Sequence, residues 1–405
     1  MKAHPNLGRA SSGSRTAEVL IPVAVNHSYS YTIPDGAIVE SGDFVSIPLS
    51  SRQTWGVVWE IDGSGTQQTN LKSIGTRLNL PALHLPLRQF IDWVAGWTLS
   101  PRGMVLRMAV RMAEFARPEA PQVGVRLKGE APQRMTAARQ RLLAAAASGG
   151  IFSKAELAEA AACSFGVIEG LIQEGTFEKL VLPPEPIVAP CDPYFHRPSL
   201  NAGQGEAVEQ LIARASAGVF SVTLLEGVTG SGKTEVYFEA IAAALAAGRQ
   251  ILVLMPEIAL TTQFLDRFEA RFGARPAEWH SAVSQRKRAR IWRAVATGEV
   301  RAVIGARSAL FLPFCDLALL IVDEEHDSAY KQEDGVTYHA RDMAVMRGRF
   351  EKAAVVLVSA TPSVETKVNA NQGRYHHVRL DGRVAGRNLP DLALVDLRSD
   401  PPQRG

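Results

Sequence analysis

The octapeptide GVTGSGKT (227–234) constrains this chain more than any other feature in it. It stands between an apolar run, VFSVTLLEG (219–227), and a helix-periodic run, KTEVYFEAIAAALAAG (233–248). A strand, a glycine turn and a helix in that order are the context in which G-x-x-x-x-G-K-[ST] makes a phosphate cradle. Gly227, Gly230 and Gly232 let the backbone curl, so that N–H groups of the loop, Val228, Thr229 and Ser231 included, face phosphate oxygens. Lys233 offers a point charge to β- and γ-phosphates, and Thr234 a hydroxyl to Mg²⁺.

Such a turn belongs at the edge of a parallel sheet, and from about residue 200 the chain alternates accordingly. Strands QILVLMP, VRAVIGA, LALLIVDEE and AAVVLVSAT are interleaved with helices LTTQFLDRFEARFG and SQRKRARIWRAVATG. Short, non-alternating Val/Ile/Leu strands between helices imply a sheet covered on both faces. A second apolar strand of that sheet should end in an Asp that holds Mg²⁺ through water. LLIVDEEH (319–326) has this form, with Asp323 on the metal side and Glu324 as general base or water-orienting group. His326 suits a coupling role. A stand-alone transition-metal site would need further His or Cys ligands, and none lies nearby in sequence.

Upstream the pattern changes twice. AEVLIPVAV, YSYTI, GDFVSIPL and TWGVVWEI read as short strands separated by Gly, Pro, Asp and Ser, followed by helical sequence over 86–111 with a break at Ser100–Pro101. Residues 136–182 are Ala/Leu-rich: three helices, two with Ser153 and Ser164 as N-caps, then TFEKLVLPP as a strand pair. Three helices and a β wing suggest a winged helix, a variant of the helix-turn-helix. The resulting division is a disordered lead (1–16), a β domain with helical extension (17–116), a linker (117–135), a winged-helix domain (136–182), a Pro-rich linker (183–198), a P-loop lobe (199–398) and a tail (399–405).

Composition narrows the class. With 46% hydrophobic and 21% charged residues the chain is globular rather than disordered. No apolar run approaches the ~20 residues of a membrane span, and the start has no apolar signal core, so a cytoplasmic protein without a membrane partner is expected. Cys163, Cys191 and Cys315 form no CxxC pair, which points away from a disulfide framework or a zinc knuckle. Net charge is only +3, but residues 1–141 carry 16 Lys+Arg against 10 Asp+Glu, a balance of +6, and SQRKRARIWR (284–293) is denser still. Either could also be a solvated face.

Taken together, LMPEIALTTQ (254–263), GARSALFLPF (305–314), DEEHDSAYKQEDGVTYHARDMAV (323–345) and SATPSVET (359–366) closely resemble the PriA family of primosomal replication-restart helicases (primosomal protein N′). The resemblance runs from about residue 17 to the end. It implies an α/β chain: a β-rich DNA-binding domain, a winged helix, and one RecA-like lobe of a superfamily 2 helicase. Gln204 matches an adenine-reading glutamine, or is an ordinary exposed polar residue. Thr261, Thr262 and Gln263 match a motif that holds the DNA backbone, or simply cap a helix. Arg307 and Ser308 match a second strand-tracking motif, and Ser359 and Thr361 the motif linking nucleotide and DNA sites. Tyr330, Lys331, Tyr338, His339 and Arg341 form an aromatic and basic loop suited to stacking on unpaired bases, or to local packing.

The N-terminal region resembles the family's 3′-end-binding domain. Tyr29 and Tyr31 match its flanking aromatics, although they could be plain strand residues, and Lys72 matches a basic residue near the pocket. Ser30 stands where the family has an acid and Ser50 where it has a glycine. The resemblance implies an ATP- and Mg²⁺-dependent 3′→5′ DNA helicase that recognises abandoned forks. Its partners would be forked and single-stranded DNA, primosome proteins, single-stranded-DNA-binding protein and the replicative helicase loader. A second lobe and a zinc module are expected in the complete family protein but not in this chain, which ends at VDLRSDPPQRG. The alternatives are a non-catalytic fork-binding assembly protein and a superfamily 2 RNA helicase.

Overall fold

β-Branched and aromatic residues, broken by Gly, Pro and Asp, make the N-terminal strands. In the computed structural model β1 (Thr16–Leu20), β2 (Tyr29–Thr32), β3 (Phe44–Leu49) and β4 (Arg52–Asp62) form an antiparallel sheet in the order β2-β1-β4-β3. Helix α1 (Leu85–Trp97) places Leu87, Phe90, Ile91 and Val94 on one buried face. Pro101 separates it from α2 (Arg102–Val110). The structure describes residues 15–62, 71–113, 122–129, 132, 134–182, 186–256 and 262–382. Most of the expected lead, the tail 399–405 and Thr261 lie outside them.

A second unit, Arg117–Pro186, has a core of its own. It contains β5 (Gln122–Leu127), α3 (Ala137–Ala145), β6 (Phe152–Ser153), α4 (Lys154–Ala160), α5 (Phe165–Gln173) and β7 (Phe177–Leu182). Leu142, Leu157, Ile168, Leu171 and Phe177 pack around Val125. Ser153 caps α4 in a reciprocal capping box with Glu156, whereas Ser164 makes no side-chain cap bond. The strand pair expected within 176–184 is a single strand, β7; its antiparallel partner is β5, inside the segment read as a linker. That pairing spans some fifty residues, and six residues of weak alternation do not announce it.

The lobe follows with α6 (Ala202–Ser216), β8 (Ser221–Gly227), α7 (Lys233–Ala246), β9 (Gln250–Leu254), α8 (Thr262–Phe272), β10 (Ala277–Trp279), α9 (Gln285–Ala296), β11 (Ala302–Gly305) and β12 (Leu317–Val322). Then come β13 (Lys331–Gln332), β14 (Tyr338–His339), α10 (Ala340–Glu351), β15 (Ala354–Ser359), α11 (Val364–Asn371) and β16 (His376–Leu380). Seven strands form a wholly parallel sheet, β10-β11-β9-β12-β15-β8-β16. The five expected strands are its centre. The edges β10 and β16 carry too few apolar residues to read as strands.

The N-terminal sheet, α1 and α2 share one core with the lobe. Trp292 of α9 donates its indole N–H to the carbonyl of Ala109 at 2.7 Å and meets Phe44 edge-on at 6.0 Å. Phe90 packs on Phe311 with centroids 5.4 Å apart. Beneath Phe90 lies the guanidinium of Arg347, fully buried, paired with Glu351 and donating to the carbonyls of Leu310 and Leu312. A buried cation is tolerated there because its donors are used.

Candidate nucleotide and nucleic-acid site

Three neighbouring strands, β12, β15 and β8, end together, and their exits carry the chemistry. After β8 the loop turns through Gly230 (φ 83°) and Gly232 (φ 85°), left-handed positions at which side chains are disfavoured. At Gly227 the reason is space: a Cβ would sit 2.6 Å from Ser231 Oγ and 3.0 Å from Leu380 Cβ. Lys233, first residue of α7, turns its ammonium back onto the carbonyls of Gly227 (2.7 Å) and Val228 (3.4 Å). Burial lowers its pKa, while Glu324 and Asp323 pull the other way. Ser231 Oγ is buried without a hydrogen-bond partner, inside a loop whose ordinary ligand is an anion.

Gln204 is buried rather than exposed. Its Nε2 donates to the carbonyl of Ser231 (3.0 Å), and its Oε1 accepts from the N–H of Asn201, which it caps reciprocally. The amide keeps one donor and one acceptor position free.

Asp323 follows β12 and is 8% exposed. One carboxylate oxygen accepts from the Tyr237 hydroxyl at 2.8 Å, the other from the N–H of Glu324 at 3.0 Å. Burial raises its pKa to about 6, and Glu324 adds to the rise, against the bond from Tyr237. Tyr237 lies one turn beyond Thr234 on α7, and no motif in the sequence marks it. The i+3 spacing from the loop threonine is the one signal that could have found it. Glu324 has φ 48°, left-handed for a residue with a side chain, and such strain concentrates at functional positions. Its carboxylate is 43% exposed, 3.6 Å from His326 Nδ1. His326 Nδ1 also lies 2.8 Å from Ser359 Oγ, which accepts from the N–H of Thr361 at 2.9 Å. The residues expected to couple nucleotide and DNA sites are therefore in contact.

Glu325, third in the acidic run, has no role legible in the sequence, yet it is the most enclosed of the three. It is fully buried, and its oxygens accept from Ser363 N (2.7 Å), Ser363 Oγ (2.9 Å), Thr366 Oγ1 (2.9 Å) and Arg341 Nη1 (3.3 Å). Arg341, expected as a DNA contact, is thus committed to carboxylates, Asp342 included. The exposed aromatic loop expected over 330–341 is likewise turned inward. Tyr330 is buried, its hydroxyl donating to the carbonyls of Leu254 and Asp323, and Tyr338 packs on Phe311. Their rings have protein where a base would stack. Lys331 is exposed, paired with Glu333, and His339 is half-buried with burial lowering its pKa. Arg307 holds this hairpin by donating to the carbonyls of Ala329 and Lys331; Ser308 beside it is exposed, as are Thr262 and Gln263 at the start of α8.

In the N-terminal sheet Tyr31 is buried and donates to the carbonyl of Pro48, while Lys72 Nζ donates to the carbonyl of Ser50 at 3.0 Å. Ser50 has φ 54°, a conformation that explains why glycine is favoured at such a turn. Ser30 is bonded to Glu18 directly across the strands, so a carboxylate is present on that face although residue 30 is not one. Tyr29 lies against His27, the ring centroids 4.8 Å apart and the planes tilted by 60°.

Comparison with known proteins gives two family matches. Residues 201–369 match the DEAD/DEAH box helicase family, and residues 18–111 match the 3'DNA-binding domain (3'BD) of PriA. Replication restart protein PriA of Rickettsia conorii is 33% identical over 387 residues, covering 95% of this chain and 49% of the relative. PriA of Bacillus subtilis is 40% identical over 253 residues, 61% of this chain and 31% of the relative. PriA of Haemophilus influenzae is 31% identical over 418 residues, 96% and 55%. The chain spans about half the length of the curated relatives it matches.

Proposed function

Because the chain belongs to the replication restart protein PriA family, matching its N-terminal half, we propose that it supplies the ATP-binding lobe and a DNA-end-binding domain of a 3′→5′ DNA helicase. That helicase would act at abandoned replication forks, bind forked and single-stranded DNA, and recruit primosome proteins, single-stranded-DNA-binding protein and a helicase loader. The supporting observation is the edge shared by β8, β12 and β15, where the Lys233 loop, Asp323, Glu324 and the His326–Ser359–Thr361 contact stand side by side. Arg117–Pro186 fits a winged helix that would grip duplex DNA.

The loop N–H groups and Lys233 would hold the nucleotide phosphates, and Gln204 would present its free donor and acceptor to the adenine. The donor set offered to a cation is hard oxygen, a buried carboxylate on Asp323 and the hydroxyl of Thr234, which suits Mg²⁺ shared with phosphates. Mg²⁺ would neutralise charge on those phosphates. Glu324, exposed and held in a strained turn, would orient the attacking water, and His326 would relay DNA occupancy through Ser359. In the N-terminal sheet Tyr29 and Lys72 would lie against a DNA end, whereas Tyr31 is buried in the core of that sheet.

Calorimetry of Mg·ATP binding tests this. Residues 1–405 should bind Mg·ATP, and Lys233→Ala should lose tight binding without losing its melting temperature, since the lysine fills no core volume. Equal affinity in both proteins would sink the nucleotide assignment.

A further inference from the structure

Apart from the sheet edge, a cavity of 630 Å³ opens between α2 and the lobe, and none of its lining residues belongs to the Lys233 loop or to DEEH. Met104, Met108 and Met112 recur every four residues along α2 and its exit, and so fall on one face. Met255 lines the cavity with them. Methionine is flexible and polarisable, which suits a surface meeting partners of varied shape.

The charge is one-sided. Arg107 and Arg111 on the α2 side, with Arg288 and Arg307 from the lobe, face a single lining acid, Asp334, among the described residues. Arg107, Arg111 and Arg288 have no carboxylate partner among them, and Arg288 Nε is buried without a hydrogen bond. Other described arginines do find carboxylates, as Arg271 with Glu239 and Arg347 with Glu351. Unpaired arginines in a concave wall focus a positive potential that favours a polyanion. A duplex would offer its phosphates but hide its bases, leaving the methionines without a partner. A single strand offers both.

The geometry points to a groove for one nucleic-acid strand of any sequence, with α2 as one wall and the Arg307–Ser308 edge as the other. Phosphates meet the arginines and bases lie on the methionine floor. This rests on the DNA-binding reading above and deepens it: the N-terminal unit lends the lobe half of its strand path.

The test is fluorescence anisotropy of residues 1–405 with a labelled mixed-sequence oligonucleotide, its duplex and a charge-matched polyglutamate, across a salt series. Arg107→Glu combined with Arg111→Glu should weaken single-strand binding about tenfold or more and shrink the log–log salt slope by about 1 to 2. Melting temperature and Mg·ATP affinity should not change, because both arginines are exposed and unpaired. The neutral Arg107→Gln, Arg111→Gln pair should fall between, and bound strand should protect Met108 from peroxide oxidation. If the parent binds no DNA, the DNA-binding reading itself falls. If the parent binds and the charge reversal changes neither affinity nor slope, only the groove is wrong. Preference for duplex or polyglutamate over the single strand also overturns it.

Discussion

Asp323 shows how one buried residue carries both a site and a liability. Its pKa, about 6 in the folded chain against an ordinary 3.8, means that the unfolded state releases the proton first. Between about pH 4 and 6 the folded state therefore holds more protons, and stability falls as pH rises through that window. At ~1.36 kcal/mol per pH unit the rise corresponds to roughly 3 kcal/mol at most. Asp323→Asn should remove this loss, so its stability advantage over the parent should grow from pH 4 to 7 in urea titrations. A difference that is flat with pH would show that Asp323 does not titrate in this way.

At the scale of elements, Glu325 binds three segments together. The carboxylate reaches α10 through Arg341 and α11 through Ser363 and Thr366, while its own N–H donates to Val358 of β15. Breaking one side of a buried ion pair leaves an unsatisfied charge and costs about 3–5 kcal/mol. Glu325→Ala and Arg341→Ala should each lower stability by about that much, and the double variant by clearly less than the sum. Additive losses in denaturant melts would mean that the two side chains act separately. The same network explains why the loop with the composition of a DNA contact is turned inward: α10 starts at Ala340, and Arg341 is anchored within its first turn.

At the scale of the molecule, one core runs from Leu20 and Phe44 through Phe90 to Trp292 and Phe311, and a separate core fills Arg117–Pro186. Two thermal transitions are expected, and excising 117–186 with a short linker should leave the other one in place. A lobe without residues 1–113 should aggregate, because Trp292 and Phe311 lose their cover; a soluble lobe with an unchanged melting temperature would refute the shared core. Turnover is a different matter. An arginine from an opposing lobe is worth ~10³–10⁵ in kcat, and the described residues contain one P-loop sheet. Residues 1–405 should bind ATP yet show little DNA-stimulated ATPase; robust turnover, lost in Glu324→Gln, would show that a second lobe is dispensable.

The sequence by itself determined the parallel sheet, the Lys233 loop and the Asp323–Glu324 pair. Glycine spacing and apolar strands are local constraints, and the chemistry lies within a few residues of each. Only the tertiary structure decided which side chains of those segments face solvent. Glu324 and Glu325 are identical in type, but the left-handed turn at Glu324 sends one outward and one into the core. Tyr330, Tyr338 and Arg341 have the composition of a nucleic-acid loop and the environment of a core, because a ring packs against Phe311 or a base by the same forces. Strand β5 and the methionine-lined groove depend on pairing and packing between residues far apart in the chain, and no spacing along the sequence encodes that meeting.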